Sequence, residues 1–182
     1  LVSHRKLSNG EDKPYELNIS WWSAMEDSGR DSNRFQHKRF ILTQLMVMAL
    51  KGVPAFYLPA LLASENDIKN FSKTGQRRDL NREKFKLDNL LSLLNNPASN
   101  ANKNLKFLKN AMAIRSKLKQ FHPISIMECL SKGRSDIVAI KRGIGSDALF
   151  AIHNMTENKI NYQLQDHDLP ELINNNVYLR DF

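Results

Sequence analysis

Lys51-Gly52-Val53-Pro54-Ala55-Phe56-Tyr57-Leu58-Pro59 decides how the rest of the chain is read. Residues 53–58 are continuously apolar, too short for a helix, and bounded by Gly52 and Pro59, which is how a strand buried on both faces looks. Ahead of them, residues 34–50 carry a helical pattern with Asp31 or Ser32 as its N-cap. From Phe40 to Leu50 that helix is apolar nearly all round, so its later half should be buried on more than one side. A helix, a glycine and a buried parallel strand form one piece of an α/β fold. Such a strand needs parallel neighbours and helices over its faces, and the chain offers few other candidates.

Downstream, residues 71–86 form a polar loop holding Gly75 and the dense run Arg77-Arg78-Asp79-Leu80-Asn81-Arg82. A loop directly after a parallel strand lies on the side where α/β proteins build their sites. Two helices follow, at Leu87–Asn95 and 98–120; the second has Phe107, Ala111, Ile114, Leu118 and Phe121 on one stripe and ends before Pro123. The period then changes. Short runs at 124–130, 137–142, 148–153, 159–164 and 177–182, separated by turn signals, predict an antiparallel β module of about 60 residues. The boundary falls at His122-Pro123, giving an α/β portion over 1–122 and a β portion over 123–182. Upstream, 1–13 reads as polar and irregular, 15–19 as a short extended piece, and Trp21-Trp22 as core or the wall of a cleft.

Composition sets the outer bounds. The 182 residues are 41% hydrophobic, enough for a real core, and no apolar run approaches the roughly 18–20 residues of a membrane span. One cysteine, Cys129, excludes an internal disulfide and fits a reducing, cytoplasmic compartment; in a strand it reads as a buried structural thiol. The net charge of +8 admits a nucleic-acid partner. Against that, the lysines are scattered along one helix and through loops, with no interleaved aromatics for base stacking. A solvated basic face explains them better.

Local chemistry is sparse. The five histidines (His4, His37, His122, His153, His167) have no i,i+4 partner, so zinc spacing is absent, and there is neither a Walker loop nor a Gly-x-Ser-x-Gly motif. Glu26 and Asp27 sit in a turn cluster and read as solvated charge. The arginine run is the informative feature: Asp79 can pair one guanidinium and orient another, and a fixed guanidinium fork suits sugar hydroxyls or phosphate oxygens.

Four motifs in order carry a resemblance: Tyr15-Glu16-Leu17-Asn18, Leu50 through Tyr57, Leu61-Leu62-Ala63-Ser64-Glu65-Asn66-Asp67, and Gly75 through Arg82. Together they resemble the sucrose phosphorylase branch of the α-amylase superfamily. The resemblance implies the C-terminal part of a (β/α)₈ TIM barrel, with 53–58 as its last strand, followed by a small antiparallel β domain that stops inside a strand pattern. A barrel takes about 250 residues, so the family's Asp nucleophile, Glu acid/base and stabilising Asp are expected upstream of Leu1. Arg78 matches the family arginine that hydrogen-bonds the glucosyl ring. Tyr15 and Glu16 match a mobile loop over the acceptor side, where Lys13 and Glu16 depart from the sucrose-specific pattern. The implied chemistry is a retaining transfer of glucose from an α-glucoside disaccharide to inorganic phosphate. It needs no cofactor and no metal, and involves no nucleic acid and no membrane; a homodimer is compatible with it. The chain alone is expected to be inactive. The alternatives are an amylase-type α-glucosidase or transglucosidase and, from another class, a basic nucleic-acid-binding protein.

Overall fold

The computed structural model describes residues 1–26, 35–131 and 133–164. The expected N-cap at Asp31 or Ser32, Asp27, His167 and the expected strand at 177–182 lie outside the described residues. The chain divides into two compact units, Leu1–Gln44 with Ala55–Ala111 and Leu45–Pro54 with the residues from Met112 onward.

The first unit opens with a hairpin, β1 (Val2–Lys6) against β2 (Asp12–Leu17), closed by Gly10 at φ 87° and by Leu7 N donating to Glu11 O at 2.8 Å. Helix α1 (Trp21–Ala24) follows, N-capped by Ser20, whose hydroxyl accepts from Ser23 N. Trp22 is buried, edge-on to Phe40 and tilted against His37, so the core reading holds for this tryptophan. Helix α2 (Gln36–Ala49) exposes no residue from Phe40 to Ala49, as its all-round apolar pattern requires.

Residues 53–58 correct the opening expectation. They form no strand: Val53, Tyr57 and Leu58 are exposed, and helix α3 (Leu58–Leu61) begins where the strand should end. The backbone at Tyr57 is extended (φ −82°, ψ 133°), but a strand exists only by its hydrogen-bonded neighbours, and no described segment supplies one. Helix α3 ends in a Schellman turn, with Ala63 N to Ala60 O at 3.1 Å and Ser64 N to Pro59 O at 2.9 Å. That turn holds Ala63 at φ 51°, a left-handed position usually given to glycine.

Side chains then fix the segment that follows. Asn104 on helix α6 (Asn100–Ser116), fully buried, donates to Ala60 O and Leu61 O at 3.0 and 2.8 Å. Asn66 Oδ1 accepts from Ser20 N at 2.7 Å, and Asn66 N donates to Ser23 Oγ at 3.1 Å. Asp67 N-caps helix α4 (Ile68–Thr74), and Gly75 ends it at φ 66°. Helix α5 (Leu87–Asn95) matches the sequence reading.

In the second unit β3 (Met127–Cys129), β4 (Ile137–Arg142) and β5 (Leu149–Asn154) make an antiparallel sheet in that order. The central strand buries Ile137, Ala139, Ile140 and Arg142. Three expectations are corrected here. The helix read as 98–120 closes at Ser116, because Lys117 N and Leu118 N bond the carbonyls three residues back and Leu118 turns extended. Residues 159–164 carry no regular structure. Cys129 is exposed, because among the described residues β3 pairs only with β4 and all three of its residues are exposed.

Two guanidiniums organise this unit. Arg115 donates through Nε to Met48 O at 2.9 Å and through Nη2 to Gly52 O and Phe121 O at 3.2 and 3.1 Å. Arg142, with no exposed surface, donates to Ala49 O at 3.0 Å and His122 O at 3.1 Å. Both lie over the Phe121 ring, 5.4 and 5.6 Å from its centroid. Burial, followed by the charge of Arg115, lowers the pKa of Arg142.

Replacing Arg142 by Leu removes the donor from the buried Ala49 carbonyl, at about 1–3 kcal/mol, and from the part-buried His122 carbonyl, at less, partly offset by removing a desolvated charge. A net loss of about 2 kcal/mol is expected in chemical denaturation, the same order as one buried hydrogen-bond network; Arg142→Leu at wild-type stability would show the bonds to be incidental.

Burial lowers the pKa of both His37 and His153; Lys103 adds to the effect at His37, and each Nε2 is buried without a partner. The unfolded chain therefore takes up protons first. Stability should be full above about pH 6.5 and fall progressively as pH drops below it. Thermal midpoints measured from pH 8 to 5 check this, and His153→Phe should flatten the slope.

Candidate functional site

The arginine run folds as a 3₁₀ turn, Arg77–Asn81, entered from extended Gln76 after Gly75. Its anchor is Leu80, buried, whose carbonyl accepts from Asp67 N at 2.7 Å. With three residues per turn, Arg78 and Asn81 share a face while Arg77 points along another. Both arginines nonetheless reach the hairpin. Arg77 Nη1 donates to Val2 O at 2.6 Å, and Arg78 Nε donates to Glu16 Oε2 at 3.1 Å.

The structure thus brings together Glu16 and Arg78, which the sequence separates by 62 positions. It assigns Arg78 a partner other than the expected Asp79, whose backbone N–H instead turns back to Gln76 O. Tyr15 and Glu16 lie on strand β2, not in a free loop. The Glu16 position is secured from below: Asn18, fully buried, donates to Ser3 Oγ at 2.7 Å. Tyr15 is exposed and borders a shallow depression of about 220 Å³ with Arg5, Lys13 and Pro14; Arg5 and Lys13 face each other across the hairpin.

Chemically, Glu16 engages Arg78 through Nε alone, and among the described residues the two Nη groups have no partner. A guanidinium held this way keeps donors for sugar hydroxyls or an oxyanion, and its carboxylate partner fixes its plane. No group of three His, Cys, Asp or Glu side chains among the described residues could hold a metal ion. No described helix is long and apolar enough to cross a membrane. Sequence reasoning missed Asn66, Asn104 and Asn81. The first two shape the loop beneath the site, and Asn81, with Trp21, lines a separate cavity of about 370 Å³. A polar residue in a helix looks like surface, so Asn104 gave no signal, whereas Asn66 and Asn81 stood inside quoted motifs without a role assigned to them.

Comparison with known proteins finds similarity to phosphorylases. The chain is 31% identical over 142 residues to the glucosylglycerate phosphorylase of Spirochaeta thermophila, covering 78% of this chain and 24% of that protein. It is 30% identical to that of Allomeiothermus silvanus (86% and 28%) and 31% to that of Escherichia coli (68% and 22%). The crystal structure of sucrose 6F-phosphate phosphorylase from Thermoanaerobacter thermosaccharolyticum shares the fold, with a TM-score of 0.56 at 16% identity, over 87% of this chain and 31% of that one. No protein-family model matches. The chain is accordingly similar to glucosylglycerate phosphorylases over most of its length and shares its fold with part of a sucrose 6F-phosphate phosphorylase. It spans about a quarter of the length of the curated relatives it matches.

The Glu16–Arg78 pair is partly solvated, with side chains 30% and 52% exposed. A double-mutant cycle of Glu16→Gln and Arg78→Gln should return a coupling under about 1 kcal/mol, while amide exchange in β2 speeds up in either single variant. A coupling near zero with unchanged exchange would mean the hairpin is held by Arg77 alone.

Proposed function

We propose that this chain is part of a retaining, glucosyl-transferring disaccharide phosphorylase that converts an α-glucoside and inorganic phosphate to α-glucose 1-phosphate. The observation that carries the reading is similarity of about 30% to three glucosylglycerate phosphorylases across most of this chain. Glucosylglycerate is therefore the first donor to test, with sucrose second. In this reading residues 1–122 complete a (β/α)₈ barrel, 123–182 form the C-terminal β domain, and the protein works in the cytoplasm. Residues 53–58 have an extended backbone at Tyr57 and pair with no described strand, which supports reading them as a barrel strand whose neighbours lie elsewhere in the whole protein.

The chemistry splits one displacement into two. A carboxylate takes the glucosyl group as a second one protonates the departing acceptor oxygen, and phosphate then attacks the glucosyl-enzyme. Those carboxylates are proposed to lie outside this sequence, and the chain alone to be inactive. What it supplies is positioning. Arg78, planar and steadied by Glu16, donates to glucosyl hydroxyls; Tyr15, exposed beside Lys13 and Arg5, faces the acceptor and phosphate side. The two cations lower the cost of bringing an anion to that side.

The test uses the reading frame extended upstream and expressed whole, following glucose 1-phosphate from glucosylglycerate and from sucrose with and without phosphate. Phosphate-dependent product is expected, and Arg78→Gln should lower kcat/KM by about 100-fold or more, as loss of a charged donor to the reacting sugar does. Free glucose formed without phosphate dependence would replace this reading with an amylase-type α-glucosidase.

A further inference from the structure

Asn9-Gly10 is the one place in the sequence where an asparagine precedes a glycine, and it lies at the tip of the β1–β2 hairpin. The side-chain amide carbon of an asparagine is open to attack by the backbone nitrogen of the next residue. That ring closure is unimolecular, with both reactants held on one short tether. Glycine is the best nucleophile for it, because no side chain shields its nitrogen. Here Ser8, Asn9, Gly10 and Glu11 are all exposed, and nothing stands within 4 Å of where a Cβ on Gly10 would sit.

The folded turn restrains the same groups. Gly10 N donates to Leu7 O at 3.0 Å, Asn9 Oδ1 accepts from Glu11 N at 3.1 Å, and Asn9 Nδ2 donates to Glu11 Oε2 at 2.9 Å. Asn9 Cγ can swing onto Gly10 N only when its amide leaves Glu11. The two Asn9–Glu11 bonds are solvent-exposed, and such bonds open at the low end of a protein's local stability. We infer that Asn9-Gly10 is a site of spontaneous deamidation, with the Asn9–Glu11 clamp setting its rate. Gly10 N bonds to Asn9 Cγ, the Cγ–Nδ2 bond breaks, and the Gly10 amide proton leaves with Nδ2 as ammonia. Water then opens the succinimide at either carbonyl to leave aspartate or isoaspartate, with no oxidant or cofactor.

Both products undo the clamp. Aspartate puts a carboxylate oxygen where Nδ2 faced Glu11, so attraction becomes like-charge repulsion. Isoaspartate adds one carbon to the main chain inside the loop that sets the register from the Lys6–Asp12 pair onward. The inference is independent of the proposed reaction, since it concerns only the turn and water.

The 182-residue chain is aged at mildly alkaline and mildly acid pH, then read by peptide mass spectrometry and an isoaspartate-specific methyltransferase assay. Asn9 should convert ahead of every other asparagine, faster at alkaline pH because the deprotonated amide is the nucleophile, and faster still in concentrated urea. Glu11→Ala should speed conversion about three-fold, the effect of losing one modest hydrogen bond on an opening equilibrium. Glu11→Gln keeps an acceptor and should stay near wild type. Asn9→Asp should speed amide exchange at Glu11 and Asp12 before any ageing. Asn9 still intact when the urea sample has fully converted overturns the site. A rate equal to that in urea, or an unchanged or slower rate in Glu11→Ala, overturns the clamp.

Discussion

The carbonyls at the end of an α-helix have no partners within it, and inside a protein they need donors from elsewhere. At the end of α2 the donors are two arginines. Arg115 covers Met48 O and Gly52 O, Arg142 covers Ala49 O, and the two guanidiniums lie over Phe121. Neither arginine has a carboxylate partner among these bonds; both donate to backbone oxygens, which supply partial negative charge where the helix dipole is also negative, and Arg142 Nε stays buried without a partner. The same groups reach Phe121 O and His122 O, so the short 3₁₀ turn Lys119–Phe121 is fixed by the contacts that end the helix. The second unit therefore has an electrostatic centre as well as an apolar one.

The first unit solves the same problem with amides. Asn104 bonds the Ala60 and Leu61 carbonyls at the end of α3, sharing the first with Ala63 N, and Asn66 trades two bonds with the start of α1. Only then can the stretch from Tyr57 to Asn81, which contains no strand, hold a definite path and deliver Arg77 and Arg78 to the hairpin. The geometry of the candidate site rests on bonds from neutral amide side chains as well as on its ion pair.

Much of this was legible where local pattern and final structure coincide. Helix α5 lies at Leu87–Asn95 and β4 at Ile137–Arg142 as read, because alternation and turn residues bound them on both sides. The failures have physical causes. Strand β1 is polar (Val-Ser-His-Arg-Lys), and its existence depends on register with β2, although Asn9-Gly10 offered a hairpin signal. The 53–58 stretch has a strand's composition, but pairing is a property of neighbours and not of the segment. Of the site, Tyr15, Glu16 and Arg78 were visible through motif resemblance. Their pairing was not, since nothing local links residue 16 to residue 78. The buried asparagines were invisible for a simpler reason: a polar residue on a helix is ordinarily read as solvent-facing.

The unpaired run 53–58 also bears on handling. The Tyr57 and Leu58 carbonyls are taken by Leu61 N and Leu62 N, but residues 53–56 pair with no described strand, so another chain can add a strand there and concentrated solutions of this polypeptide should be prone to intermolecular β assembly. Pro54 is the guard within it: lacking an N–H, it removes one rung from any ladder that starts there. Within residues 53–56 that imino acid is the built-in obstacle to strand addition.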